Sequence, residues 1–99
     1  MELKGIQKKV DDSIKELGGY WKPLEMFTAM VEEVGEVGRE LNAIHGPKKK
    51  IKDTKGLERE LGDLLYSMIC LANDEKIDLD KAVSESIDKS LNRDKKRFN

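Results

Sequence analysis

Residues 27–44 read Phe27-Thr28-Ala29-Met30-Val31-Glu32-Glu33-Val34-Gly35-Glu36-Val37-Gly38-Arg39-Glu40-Leu41-Asn42-Ala43-Ile44. The apolar members Phe27, Met30, Val31, Val34, Val37, Leu41 and Ile44 recur at steps of three and four, the period of one face of a helix rather than the two-residue alternation of a strand. Pro23 suits the first turn, where its fixed φ is already helical and its missing N–H is not needed. His45-Gly46-Pro47 stops the pattern.

The same period extends to both sides. Leu3, Ile6, Val10, Ile14 and Leu17 mark an earlier helix that Gly18-Gly19 ends. Downstream, Asp53 or Thr54 is positioned to cap a third helix carrying Leu57, Leu61, Leu64, Leu65, Met68, Leu71 and Ala72, which fades in Asn73-Asp74-Glu75-Lys76. Asp78 caps a fourth, with Leu79, Val83, Ile87 and Leu91 on its apolar side. No Asn-Gly or Asp-Gly hairpin signal occurs. The expectation is an all-α, antiparallel bundle of about four helices, one domain spanning 1–99.

Composition narrows the function. The chain has 99 residues, 37% hydrophobic and 39% charged, with a net charge of -1. So little apolar content in so short a chain predicts a bundle completed by a second copy, a dimer or tetramer, with Met26, Met30 and Met68 facing water otherwise. Charges of both signs are interleaved, without the basic excess that neutralises phosphates along a nucleic-acid groove. No apolar run approaches the roughly 18 residues that span a bilayer, and residues 1–10 lack the apolar stretch of a secretory signal. These features predict a cytoplasmic protein without membrane or nucleic-acid partners. Cys70 has no partner for a disulfide and no companions at zinc spacing, so it reads as a small buried hydrophobe.

Two acid pairs need a reason. Glu33 and Glu36 on the second helix, and Glu60 and Asp63 on the third, are each three residues apart and therefore neighbours on one helix face, where like charges repel. At 100° per residue, each pair lies roughly 80° and 140° from the middle of its apolar stripe, in the same rotational sense. Facing two such helices antiparallel sends all four carboxylates to one edge, while Glu32 falls opposite the stripe. Clustered carboxylates without thiol are hard oxygen ligands suited to Mg²⁺ or Mn²⁺. A di-iron bundle would need Glu-x-x-His on two helices. The only histidine, His45, is preceded at that position by Asn42, and reads as a helix-end residue near the negative dipole terminus.

Three glycines interrupt these helices, each at roughly 1 kcal/mol of propensity relative to alanine. Gly38 falls on the apolar stripe and predicts close helix approach, whereas Gly35 and Gly62 lie inside the acid motifs and would leave room beside metals. Lys89, Asn92, Arg93, Lys96 and Arg97 share one face of the last helix and offer donors for phosphate oxygens. Lysines 48, 49, 50, 52 and 55 form a basic connector with no core pattern. Tyr20 and Trp21 are candidates to stack on a base or to pack the mouth of the bundle.

With Glu32-Glu33-x-x-Glu36 followed by Glu60-x-x-Asp63, the run Leu61-Gly62-Asp63-Leu64-Leu65 and the Lys89–Phe98 tail, the chain resembles the MazG-like nucleoside triphosphate pyrophosphohydrolases of the all-α NTP pyrophosphatase superfamily. The resemblance implies Mg²⁺-dependent hydrolysis between the α- and β-phosphates of a nucleoside triphosphate, giving the monophosphate and pyrophosphate, as nucleotide-pool housecleaning. It implies metal-ligating, catalytic roles for Glu33, Glu36, Glu60 and Asp63, substrate contacts from Lys89, Asn92, Arg93 and Arg97, and an oligomeric assembly. Two alternatives remain open from sequence: a phosphoribosyl-ATP pyrophosphohydrolase, and a non-catalytic helical bundle that binds a nucleotide or a protein partner.

Overall fold

The computed structural model describes residues 2–48, 50 and 53–98, with the side chains of 95–98 excluded. Four helices follow one another: α1 Leu3–Glu16, α2 Pro23–His45, α3 Lys55–Asp74 and α4 Leu79–Phe98. No strand occurs among the described residues. The punctuation works as its chemistry requires. Pro23 opens α2, and Gly18 and Gly19 both take φ +106, a left-handed geometry that glycine adopts without strain. At the start of α3, Thr54 occupies the capping position without a side-chain bond, and Asp53 Oδ1 accepts the Lys55 N–H instead. Asp78 Oδ1 accepts the N–H groups of Asp80 and Lys81 at the start of α4.

The central unit is the antiparallel pair α2–α3, with α1 laid across α3 and α4 meeting α1. Near the start of α2 and the end of α3, Met26 packs with Ile69, Cys70 and Val10 in the core. At the other end, Gly56 of α3 lies so close to Glu40 of α2 that an added Cβ would come within 2.5 Å of Glu40 Oε2. Cys70 is buried, as its spacing predicts.

The wide apolar stripe of α2 is not centred on α3. Met26, Met30, Val37 and Ile44 turn inward or stand half-buried, while Phe27, Val31, Val34 and Leu41 are exposed. A stripe this broad can satisfy only one flank with a single neighbouring helix. Met26 is therefore buried, contrary to the sequence expectation, and of the three methionines only Met68 is exposed. Gly38 also departs from expectation: a Cβ there meets open space, so it allows no helix contact within this chain.

The accessible surface is 7962 Å², against about 5,700 Å² for a compact monomer of this mass. The radius of gyration, 16.6 Å, likewise exceeds the roughly 13 Å of a compact 100-residue domain. Leu61, Leu65 and Met68 on α3 and Val83, Ile87 and Leu91 on α4 contribute to this uncovered apolar surface.

Candidate active site

Because α3 meets the flank of α2 that carries Glu33, the acids lie in the seam between the helices rather than on its outer edge. One carboxylate oxygen from each of Glu33, Glu60 and Asp63 lies within 4.8 Å of the others. Glu33 and Glu60 are half-buried and Asp63 is exposed, so the cluster opens to solvent on the Asp63 side. Glu33 Oε2 is buried without a hydrogen-bond partner. A buried acceptor left unsatisfied is costly, and convergent hard oxygens around such an orphan fit a divalent cation. A Cβ at Gly35 or Gly62 would meet open space.

Glu36, the fourth acid expected, stands slightly apart. Its carboxylate is paired with Arg39 one turn along α2, although its charge still bears on Glu33. Burial pushes the Glu33 carboxyl above its ordinary value, and the neighbouring carboxylates of Glu60, Asp63 and Glu36 push it further.

This shift has a sign that can be measured. In metal-free protein the folded state retains a proton that the unfolded chain releases near pH 4.5. The corresponding stability is therefore lost as pH rises from that value through the raised folded pKa. Asp11, held low by the Lys15 ammonium, and Asp78, held low by the Lys81 N–H, act oppositely, losing stability as pH falls below their ordinary 3.8. Thermal melts in EDTA across about pH 4–8 should show a decline in wild type that is reduced in Glu33→Gln. Equal slopes in the two proteins would contradict the burial of Glu33.

Beside the acids lies a cavity of about 400 Å³ walled by Ile14, Leu17, Tyr20, Trp21, Met26, Tyr66, Ser67 and Cys70, with Glu33 at its border. Burial pushes the Cys70 thiol up, and pushes Tyr20, whose hydroxyl also bonds Asp11, up to about 12. Apart from Glu33 the lining is uncharged and largely apolar, with three aromatic rings. Tyr20 and Trp21 were visible in sequence as an aromatic pair; Tyr66, Ser67 and Cys70 were hidden in the helical pattern of α3, one to two turns beyond Asp63.

The expected phosphate-binding residues are separate from this seam. Lys89, Asn92 and Arg93 are exposed and line one groove of α4 with Ser86 and Ser90. The side chains of Lys96 and Arg97 lie outside the described residues, as do Lys49 and Lys52 of the connector. Lys50 folds back to donate its backbone N–H to Ala43 C=O at the end of α2.

Residues 22–98 match the MazG nucleotide pyrophosphohydrolase domain. The chain is 41% identical to YpjD of Bacillus subtilis (strain 168), covering 97% of this chain and 89% of that one. It superposes on the crystal structure of the Bacillus-conserved MazG protein, a nucleotide pyrophosphohydrolase, with a TM-score of 0.80 at 39% identity over 90% of this chain and 88% of that one. A crystal structure of YpjD, a candidate pyrophosphatase, matches with a TM-score of 0.82 at 40% identity, over 90% of this chain and 94% of that one. Motif, fold and sequence likeness over nearly the whole chain agree, and the chain belongs to the MazG nucleotide pyrophosphohydrolase family.

Proposed function

We propose that this enzyme hydrolyses nucleoside or deoxynucleoside triphosphates between the α- and β-phosphates with Mg²⁺, Mn²⁺ substituting, as cytoplasmic nucleotide-pool housecleaning by a single domain spanning 1–99. The observation that carries the reading is the seam in which Glu33, Glu60 and Asp63 converge around the unsatisfied Glu33 Oε2. These three acids would hold the cation, with Glu36, now paired with Arg39, as a fourth acid beside them. When bound there, a divalent cation would neutralise phosphate charge and lower the pKa of a water molecule.

The chain's own residues supply positioning, which is most of what phosphoryl chemistry asks of a protein. Half-buried between α2 and α3, Glu33 and Glu60 are fixed by the helix pair, and a carboxylate of the cluster orients the water. The adjoining cavity takes the nucleobase between Trp21 and Tyr66, whose neutral walls favour an uncharged aromatic ring. Lys89, Asn92, Arg93 and Arg97 bind phosphate oxygens of the substrate. A second copy covers the exposed faces of α2 and α3. The surface excess over a compact monomer is about 2,200 Å², enough for a stable protein interface.

The test is product analysis over the common nucleoside and deoxynucleoside triphosphates and phosphoribosyl-ATP, with Mg²⁺ or with EDTA. Monophosphate and pyrophosphate, formed only with metal, are expected from triphosphates. Preference for phosphoribosyl-ATP would move the enzyme to the alternative substrate; diphosphate and inorganic phosphate, or no turnover of any substrate, would contradict the reaction. In the same assay, Arg93→Ala should raise KM about tenfold while leaving Mn²⁺ affinity unchanged. An unchanged KM and kcat would leave Arg93 as a solvated surface residue.

A further inference from the structure

Among the described residues, Gln7 is the one buried polar side chain, and each of its polar atoms is engaged. Its Nε2 donates to Asn73 Oδ1 at 2.9 Å and to Ile77 C=O at 2.8 Å, and its Oε1 accepts the Leu79 N–H at 2.9 Å. Asn73 Nδ2 returns a bond to Gln7 C=O and donates to the Tyr20 hydroxyl, in the wall of the cavity. The reverse connection comes from α4. Asp80 accepts the Leu3 N–H on Oδ1 and the Lys4 N–H on Oδ2, both at 3.0 Å.

Each helix therefore closes the other's open end. The first N–H groups of a helix have no partner within it; a carboxylate from α4 satisfies the first two of α1, and a carboxamide from α1 satisfies the first of α4. Lys4 Nζ adds an exposed ion pair with Asp78 at 3.6 Å. Within one chain α4 has little beyond this root to hold it, for every residue from Val83 to Asp94 is exposed.

A long helix held at one end magnifies any error there. At 1.5 Å per residue Arg93 lies about 20 Å beyond Asp80, so a tilt of about 10° at the root moves it by about 3.5 Å, longer than a hydrogen bond. We propose that Asp80 and Gln7 are positioning residues that fix the direction in which α4 presents Lys89, Asn92 and Arg93 to the nucleotide's phosphates. This inference rests on the phosphate-binding role given to α4 above. It also assigns a purpose to a polar residue on the otherwise apolar stripe of α1, and to an acid whose carboxylate leaves its own helix to cap another.

The experiment compares Asp80→Ala, Asp80→Asn, Gln7→Met and the double variant Lys89→Ala/Arg93→Ala with wild type. It measures KM and kcat on the best triphosphate of the panel, the dissociation constants of inorganic pyrophosphate and of Mn²⁺ alone, and the folded fraction. Asp80→Ala should raise KM and weaken pyrophosphate about tenfold, the scale of a misplaced binding group, with Mn²⁺ affinity and kcat per folded enzyme changed far less. Asp80→Asn, which keeps one acceptor, should fall between Asp80→Ala and wild type. If the double variant raises KM but folded Asp80→Ala and Gln7→Met do not, the positioning role is overturned and the role of α4 stands. A fall in folded fraction alone, with KM and pyrophosphate binding unchanged in the remainder, likewise overturns it by leaving Asp80 a structural cap. If the double variant changes neither KM nor pyrophosphate binding, the reading of α4 itself fails, and the inference with it.

Discussion

Turnover with saturating Mg²⁺ should fall by about 10²–10³-fold in Glu60→Gln and in Asp63→Asn, the scale on which removing one electrostatic contributor slows an enzyme. Each substitution keeps the shape of the side chain and removes a charged oxygen from a cluster only 4.8 Å across. In EDTA the same variants should melt higher than wild type, because repulsion toward the other acids is relieved; each kcal/mol recovered is worth about 4–8 °C in a domain of this size. Glu36→Gln should also lose turnover. Arg39→Ala should bind Mn²⁺ more tightly by freeing Glu36 from its ion pair. Near-normal turnover in folded Glu60→Gln and Asp63→Asn would remove the acids from the chemistry. An apo melting temperature that is unchanged or lower would show that they do not crowd one another.

The second large effect is on assembly. Sedimentation across a dilution series should find at least a dimer at catalytic concentrations, with activity and assembly lost together as the protein is diluted. Val31→Glu tests the face directly. Val31 is 52% exposed in the isolated chain, so in a true monomer this substitution would change stability by no more than about 0.5 kcal/mol. Buried against a second copy, an unpaired carboxylate would instead drive dissociation at concentrations where wild type remains assembled. A stable, fully active monomer, or a Val31→Glu protein that assembles like wild type, would sink the proposed interface.

The helix ends were legible in the sequence because each is set by a local chemical signal: Pro23 at the start of α2, the paired glycines after α1, His45-Gly46-Pro47, and Asp78 before α4. The acids were legible too, since their three-residue spacing and shared rotational offset belong to single helices. What spacing could not supply was the rotation of α2 against α3. An apolar stripe wider than one neighbour can cover leaves open which flank turns inward, and that choice buried Met26, opened Gly38 to solvent and placed Glu33 in the seam. It also could not show that Arg39 holds Glu36. Gly56 carried no signal in its own helix, because its nearest neighbour is the Glu40 carboxylate on the other.

The bonds from α1 to the root of α4 join residues 70 or more positions apart. One clue to them was present: Gln7 sits on the Leu3, Val10 and Ile14 stripe, where an apolar residue would be expected. Asp80 gave no such clue, since an acid in the first turn already suits its own helix dipole.

Crystals grown with Mn²⁺ and measured at an X-ray wavelength where manganese scatters anomalously test the metal seam most directly. The expected result is an anomalous peak between α2 and α3, about 2.0–2.3 Å from carboxylate oxygens of Glu33, Glu60 and Asp63, absent in crystals of Asp63→Asn. Manganese bound elsewhere on an active enzyme, with these three carboxylates free of it, would contradict the assignment.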